Sequence, residues 1–519
     1  MPLISSHPTW YALQKRARAL PALSEMFETD PARGDYLSVD LGDLFADFSR
    51  QRINRATFDD LLALAEATDV AGYLSDMAGG EIINDTEGRA VLHTACRGTP
   101  AKDPEIAKAV ADADAMLETF VSGVHDGSIA TASGGKFKSV VAIGIGGSEL
   151  GPALALDALS DICPAKLDVR MCGNIDGVAL ERAFQGLDPA TTLVVVISKS
   201  FTTLETATNA ERAKTIMQSA LGEAWPSHFA VVSANLKATG SFGVADERVF
   251  PMWDWVGGRY SVWSAVGLPV ALAFGWGVFQ AFRDGAKQMD THALSAPLAE
   301  NLPVLMGLIT VWNTSFIGYA AEACVPYDTR LSLLVAHLQQ LEMESNGKRV
   351  TRDGETISYN TQPVVFGGVG TNVQHAFFQQ LHQGTVEAPV DFLISATPPA
   401  GDAEQNRALT ANALAQADAL AFGKSNTAEP HRHYPGNRPS SILIYDALSP
   451  AMLGKLIALY EHKTAVAGRI WGINPFDQWG VELGKVVSGD ILPMLSGETE
   501  ASTSLQNTLA ALKRMGSQR

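Results

Sequence analysis

Continuous apolar runs, separated by stretches of helical character, constrain the fold of this chain more than any other feature. The runs cover residues 139–145, 192–198 and 229–233, and a shorter segment covers 167–171. A strand with one exposed face would alternate apolar and polar residues, whereas the long runs are apolar almost throughout. Strands of this kind are buried on both faces and belong to parallel sheets covered by helices. We therefore expect an α/β sandwich over this part of the chain.

A second α/β unit is expected further along the chain. Strand candidates lie at 364–367, 391–395 and 442–445, and a helical pattern covers 409–422 between the last two. The first part of the chain and residues 260–345 are rich in helical spacing. The predicted organisation has an N-terminal helical region that packs on the larger domain, a smaller α/β domain, a larger α/β domain and a tail: 1–99, 100–270, 271–485 and 486–519.

Charge and cysteine content indicate the setting in which the chain works. The net charge of −17 disfavours a nucleic-acid or acidic-membrane partner, so a site for an anion must build its own positive charge. The four cysteines form no C-x-x-C pair, and the N-terminus shows no signal peptide, so we expect a reducing, cytoplasmic location. Two uncharged stretches, 260–282 and 301–321, are long enough to span a bilayer, but they contain too many polar residues and are expected to be buried helices.

The first candidate site is a glycine-rich segment, GIGGSELG at residues 144–151, which follows an apolar run. A turn of this kind between a strand and a helix lets backbone N–H groups approach an anion. It is not the dinucleotide fingerprint, because Glu149 stands where the third glycine belongs, and no Gly-Lys-Ser/Thr follows to make a P-loop. A tight turn that binds nothing is an equally good interpretation.

The second candidate site is SKSFTTLE at residues 198–205, which ends another apolar run with four hydroxyl groups and a lysine. Hydroxyls and amides at a helix start can surround a phosphate, and Lys199 adds positive charge. Serine and threonine also cap helices without binding a ligand, so that alternative stays open. Both segments follow candidate parallel strands, and α/β proteins bind ligands at the carboxyl ends of such strands.

Several collinear segments resemble the glucose-6-phosphate isomerase family. They are residues 84–93, 144–152, 198–205, 257–264, 343–348, 370–378 with 381–385, and 471–485. Departures are small: Ser200, for example, replaces the usual threonine and keeps the hydroxyl. The resemblance implies two α/β sandwich domains of the sugar-isomerase type, with parallel sheets flanked by helices, N-terminal helices and a C-terminal helical tail. It places the site between the two sandwiches.

The resemblance also implies a reaction, the interconversion of glucose 6-phosphate and fructose 6-phosphate through a cis-enediol. Glu344 matches the base that moves a proton between C2 and C1, a task that suits a carboxylate. Arg259 matches the cation that meets the negative charge of the enediolate. His375 and Lys485 match the residues that open the sugar ring, and Glu205 matches the carboxylate that orients the histidine. In isolation, Glu344 would be interpreted as a surface glutamate and Arg259 as part of a structural salt bridge.

Further residues match the family's substrate contacts around the phosphate and the sugar: Gly147, Ser148, Ser198, Lys199, Ser200, Thr203, Gln340 and Gln478. No metal is expected, because no cluster of histidine, cysteine and carboxylate residues has ligand spacing. No cofactor is expected either. The expected partners are the phosphosugar and a second copy of the chain, in a homodimer whose His375 reaches into the partner's site. A membrane or nucleic-acid partner is not expected.

Two other functions share features with this sequence. A non-catalytic phosphosugar-binding module of the same fold could keep the phosphate turns, but it would not need Glu344, Arg259 and Lys485 together. A dehydrogenase is disfavoured by the broken fingerprint at Glu149. The joint presence of the three catalytic candidates favours the enzyme.

Overall fold

Both candidate turns directly follow strands. The computed structural model describes residues 3–397 and 402–516, and the strands within that part of the chain are β1 (Ser38–Asp40), β2 (Leu44–Asp47), β3 (Ser139–Ile143), β4 (Asp168–Cys172), β5 (Thr192–Ile197), β6 (Phe229–Ser233), β7 (Val249–Pro251), β8 (Ala321–Pro326), β9 (Val364–Gly367), β10 (Val390–Ser395) and β11 (Ser440–Tyr445).

Helices cover these strands. Those of the α type within the described residues are α1 (Pro8–Ala17), α2 (Leu23–Thr29), α3 (Arg55–Ala67), α4 (Val70–Gly79), α5 (Pro104–Asp126), α6 (Gly147–Leu159), α7 (Gly177–Phe184), α8 (Leu204–Leu221), α9 (Leu236–Phe242), α10 (Leu268–Phe274), α11 (Trp276–Ser295), α12 (Leu302–Val311), α13 (Leu334–Leu338), α14 (Phe378–Gln383), α15 (Ala403–Phe422), α16 (Pro450–Trp471), α17 (Glu482–Ser496) and α18 (Gln506–Gly516). Two π-helical segments, Trp312–Ile317 and Gln339–Glu344, continue α12 and α13.

The first sheet has five parallel strands in the order β4-β3-β5-β6-β7. Every residue of β3, β5 and β6 is buried, which is why the sequence shows continuous apolar runs there instead of alternation. The partly exposed β4 lies at one edge. The sequence predicted these four strands to within one or two residues, and only the short β7 was missed. The helices that follow β3 and β5 begin at the two candidate turns.

The second sheet has six strands in the order β1-β2-β11-β10-β8-β9. β8 to β11 are parallel to one another, whereas the hairpin of β1 and β2 joins antiparallel to β11. The N-terminal region is therefore not purely helical, because its hairpin extends the second sheet. A parallel sheet and a mixed sheet with four parallel strands, both covered by helices, confirm the predicted α/β fold class.

The two uncharged stretches form buried helices, as predicted. All ten residues of α12 are buried, and α10 is likewise buried along its whole length. α16 packs against both α11 and α12, and nearly all of its side chains are inaccessible to solvent. Within residues 3–397 and 402–516, no helix combines the length and apolar character that crossing a membrane requires. The four cysteines are buried and free.

The chain divides into two compact units between Pro475 and Phe476. The first unit contains both sheets and the helices from α1 to α16. The second unit contains α17 and α18. The predicted tail, residues 486–519, lies within the second unit, which begins at Phe476.

Candidate active site

The first candidate turn packs directly against the segment that carries Arg259. A Cβ on Gly147, the first residue of α6, would lie 2.0 Å from the carbonyl oxygen of Gly258 and 2.5 Å from the amide nitrogen of Arg259. Only glycine allows this approach of two backbones. The preceding residue, Gly146, has a φ of 62° and stands at the N-cap position, so the N-terminus of α6, the end of a helix that favours an anion, lies at this turn.

The same turn adjoins Gln340. The Nε2 atom of Gln340 lies 3.0 Å from where a Cβ on Gly146 would stand. Gln340 belongs to the π-helical segment Gln339–Glu344, which also ends in Glu344. Segments of this kind are rare and occur frequently at functional sites. The glycine turn, Arg259 and Gln340 therefore meet, although they come from distant parts of the sequence.

The second candidate turn lies beside the first, because β3 and β5 are neighbours. A Cβ on Gly144 would be 3.2 Å from the carbonyl oxygen of Ile197. Within the turn, Ser198 Oγ accepts a hydrogen bond from the amide of Phe201, and Ser200 Oγ accepts one from the hydroxyl of Thr202. Phe201 has a φ of 57°, a left-handed conformation that a bulky residue rarely adopts.

Thr203 occupies the N-cap position of α8 but makes no capping hydrogen bond with its side chain. Thr203 therefore does not cap the helix with its side chain, which disfavours the alternative that this turn serves only as a helix cap. Ser148, in the first turn of α6, is partly exposed. Hydroxyl groups from both turns thus remain available at adjacent helix N-termini, where backbone amides favour an anion.

Lys199 connects the second turn to the loop before Arg259. Its Nζ donates to the carbonyl oxygens of Asp254 at 3.1 Å and Val256 at 3.2 Å, and it lies 3.5 Å from Asp254 Oδ1. Burial removes the ammonium from water and lowers the pKa of Lys199. The lysine thus holds this loop in place and also brings positive charge to the neighbourhood of the hydroxyls.

Arg259 and Glu344 form the centre of the candidate site. The guanidinium is buried, and its Nη1 lies 3.7 Å from Glu344 Oε2. That oxygen is buried and has no hydrogen-bond partner among the described residues, although 19% of the glutamate side chain is exposed. Buried carboxylate oxygens are normally hydrogen-bonded, so one without a hydrogen-bond partner is available for chemistry. A carboxylate with a free oxygen beside a fixed cation can accept a proton and stabilise the anion that results.

His375 and Glu205, two further catalytic candidates, do not contact each other among the described residues. His375 ends a 3-10 helix, Asn372–His375, and is exposed. Glu205 lies in the first turn of α8. Neither side chain makes a hydrogen bond or ion pair within the described residues, so the predicted contact between them is absent from the single chain. Gln478 and Lys485 belong to the second unit, where Lys485 pairs with Glu482 at 2.9 Å on exposed α17.

Two residues at this centre had no role in the sequence analysis. Ser345 Oγ accepts a hydrogen bond from Arg259 Nε at 2.6 Å, and it lies 2.9 Å from the hydroxyl of Tyr260. Both residues stand inside matched motifs, directly after Glu344 and Arg259, and that adjacency was the only signal for them. Within the described residues, no group of three or more histidine, cysteine, aspartate and glutamate side chains could hold a metal ion.

Comparison with known proteins identifies the family. The model of the phosphoglucose isomerase family matches residues 47–512. The chain belongs to this family. A glucose-6-phosphate isomerase from Caulobacter sp. (strain K31) is 45% identical, with 94% of this chain and 95% of the relative covered. One from Brucella abortus (strain S19) is 47% identical, with 92% and 91% covered. The phosphoglucose isomerase resemblance inferred from the motifs is confirmed.

A solved structure shares the fold over almost the whole length. The glucose-6-phosphate isomerase from Chlamydia trachomatis superposes with a TM-score of 0.89 at 34% identity and covers 99% of both chains. A hypothetical protein from Thermus thermophilus superposes with a TM-score of 0.65 at 25% identity, over 84% of this chain and 98% of its own. The phosphoglucose isomerase fold thus accounts for both sheets.

Proposed function

We propose that this protein catalyses the reversible isomerisation of glucose 6-phosphate and fructose 6-phosphate, with Glu344 as the base. The observation that carries the proposal is the unpartnered Oε2 of Glu344, 3.7 Å from the buried guanidinium of Arg259. The family and the relatives named above agree with the isomerase predicted from the motifs. A phosphosugar-binding module without catalysis would gain nothing from this pair.

The proton moves between two neighbouring carbons on one face of the open-chain sugar. Glu344 accepts the C2 proton of the aldose, and an enediolate forms with its negative charge on O1. The hydroxyl proton passes from O2 to O1, and the protonated glutamate returns its proton to C1 to give the ketose. The negative charge that develops on the oxygen is met by Arg259, which is already buried and held, so little reorganisation is needed in the transition state. No redox partner is consumed, because the oxidation of C2 balances the reduction of C1.

The phosphate is proposed to bind at the adjacent helix N-termini. The amides and hydroxyls of Gly147, Ser148, Ser198, Ser200 and Thr203 supply the donors there. Lys199 supplies nearby charge, while Gln340 and Gln478 contact the sugar. These groups create local positive potential on a chain whose net charge is −17.

Ring opening is proposed to require a second copy of the chain. His375 and Lys485 would open the ring, with Glu205 orienting the histidine. The exposure of His375 and its lack of any side-chain partner among the described residues of one chain support a site completed across a homodimer.

We further propose that the enzyme is cytoplasmic and works in glycolysis and gluconeogenesis. The proposed domains are those of the sequence analysis, with one sheet in 100–270 and β8 to β11 in 271–485.

The direct test is an assay of the purified chain with fructose 6-phosphate in the presence of a chelator. Formation of glucose 6-phosphate at a rate that the chelator does not change is the expected result. The absence of any conversion would refute the proposed function, and loss of activity on chelation would refute the metal-free mechanism. Size measurement of the same sample should give a dimer.

A further inference from the structure

A buried hydroxyl pair lies directly behind the Arg259–Glu344 pair. Ser345 follows Glu344, Tyr260 follows Arg259, and both are almost completely inaccessible to solvent. Ser345 Oγ is 2.6 Å from Arg259 Nε and 2.9 Å from the hydroxyl oxygen of Tyr260. One serine hydroxyl therefore joins the segment that carries the guanidinium to the segment that carries the carboxylate.

The donors and acceptors fix the direction of these bonds. A guanidinium N–H can only donate, so Ser345 Oγ accepts from Arg259. Either hydroxyl proton then completes the bond between Ser345 and Tyr260. Arg259 Nη2 also donates to the carbonyl oxygen of Pro475 at 2.8 Å. Two anchored nitrogens on a planar group restrict its orientation, and in that orientation Nη1 faces Glu344.

Tyr260 packs against a buried histidine. Its ring stacks on His93, with the centroids 4.7 Å apart and the planes at 29°. His93 ends the segment 84–93, which matched the family but received no role. Burial, together with the nearby positive charge of Arg97, holds the pKa of His93 well below its usual range. Its Nε2 lies 3.9 Å from Glu461, which forms a buried ion pair with Arg97.

We propose that Ser345 and Tyr260 are positioning residues that hold Arg259 where its charge meets the developing enediolate, and that His93 supports Tyr260. The inference rests on the proposed function and extends it. Neither hydroxyl touches the substrate in this account, so both act only through the guanidinium. The expected signature is a loss of turnover without a loss of substrate binding.

Two variants remove the hydroxyls, and two others serve as matched controls. Ser345→Ala removes an acceptor of the charged guanidinium, and Tyr260→Phe removes the hydroxyl that holds this serine. Each variant should lower kcat by about 10-fold and change KM by less than about 3-fold. Tyr445→Phe removes a hydroxyl that is equally buried and bonded to Asp328 at 2.6 Å. Ser139→Ala removes one bonded to Thr192 at 2.8 Å. Both controls should keep kcat within about 2-fold of wild type.

A double-mutant cycle separates positioning from structural damage. In an Arg259→Lys background the guanidinium is absent, so adding Tyr260→Phe should lower kcat by less than about 2-fold. An equal loss in both backgrounds, or no loss in the wild-type background, would overturn the proposal. If Ser345→Ala does not fold, Tyr260→Phe decides alone, because it keeps the ring and its contact with His93.

The outcomes also distinguish this inference from the function on which it rests. A wild-type protein without isomerase activity would refute the proposed function and, with it, the role of the hydroxyl pair. An active wild type that is impaired by Arg259→Lys but not by Tyr260→Phe would refute the hydroxyl pair alone.

Discussion

Because the glycine turn packs closely against the segment that carries Arg259, we expect Gly147→Ala to lower both activity and stability. The added methyl carbon would lie 2.0 Å from the carbonyl oxygen of Gly258, whereas ordinary van der Waals contacts run from 3.4 to 4 Å. The obstacle is backbone, which cannot rotate away as a side chain could. The two segments must therefore separate by roughly 1 Å or more, and a displacement of this size in an active site can cost about 10²-fold in rate.

The assay is kcat/KM for fructose 6-phosphate, together with unfolding in denaturant. We expect kcat/KM to fall by about 10²-fold and the free energy of unfolding to fall by about 1–3 kcal/mol, the usual cost of overpacking. Gly177→Ala is the matched control, because Gly177 is also the first residue of a helix that follows a strand of the same sheet, and a Cβ there meets nothing within 4 Å. A Gly147→Ala enzyme as active as Gly177→Ala would show that the close approach does not position Arg259.

Three further predictions follow from the same structure. Burial and the neighbouring Glu322 raise the pKa of Glu342 to about 7 although Lys463 opposes the shift, so the free energy of unfolding should fall as pH rises from 4.5 to 7. Denaturant unfolding at about pH 5 and about pH 8 should show a smaller fall in Glu342→Gln than in the wild type, and an unchanged fall would contradict this origin. Alanine at Ser198, Ser200 and Thr203 together should weaken the binding of a phosphosugar inhibitor and of inorganic phosphate, and unchanged affinity would remove these hydroxyls from the phosphate site. The Glu344→Gln and His375→Asn proteins, unfolded, mixed and refolded together, should recover about a quarter of wild-type activity, because about half the dimers then contain one complete site. Activity no higher than that of either variant alone would refute the shared site.

The strands that the sequence predicted are those whose burial leaves a simple pattern. β3, β5 and β6 lie inside the first sheet and are apolar because both faces are covered. β8 was missed, since its six residues, AEACVP, include a glutamate and lie in a region of strong helical spacing. The glutamate is tolerated there because Glu322 pairs with buried Lys463, a contact between distant residues that no local pattern reveals.

The hairpin of β1 and β2 was missed for a different reason. Its strands have three and four residues, and β2 alternates buried and partly buried positions as an antiparallel strand does. Its pairing with β11 depends on residues almost four hundred positions away in the chain. Short strands that are stabilised by distant partners give little periodicity of their own.

The candidate site was predicted as a set of residues but not as an arrangement. The motifs named Arg259 and Glu344, yet their separation of 3.7 Å follows only from the packing of the glycine turn, the π-helical segment and the loop before Arg259. The hydroxyl of Ser345 bridges positions 86 residues apart, which sequence spacing cannot show. The catalytic role of the exposed His375 and the dimer proposed to complete its site remain predictions.

The most direct test of the account is proton exchange by Glu344→Gln. In deuterated water the wild type should exchange the C2 proton of glucose 6-phosphate with solvent during turnover. The variant keeps the size of the side chain but cannot accept the proton, so turnover should fall by at least about 10²-fold and exchange should be lost with it. Binding of a phosphosugar inhibitor should survive. Near-normal turnover, or exchange at the wild-type rate, would contradict the assignment of Glu344 as the base.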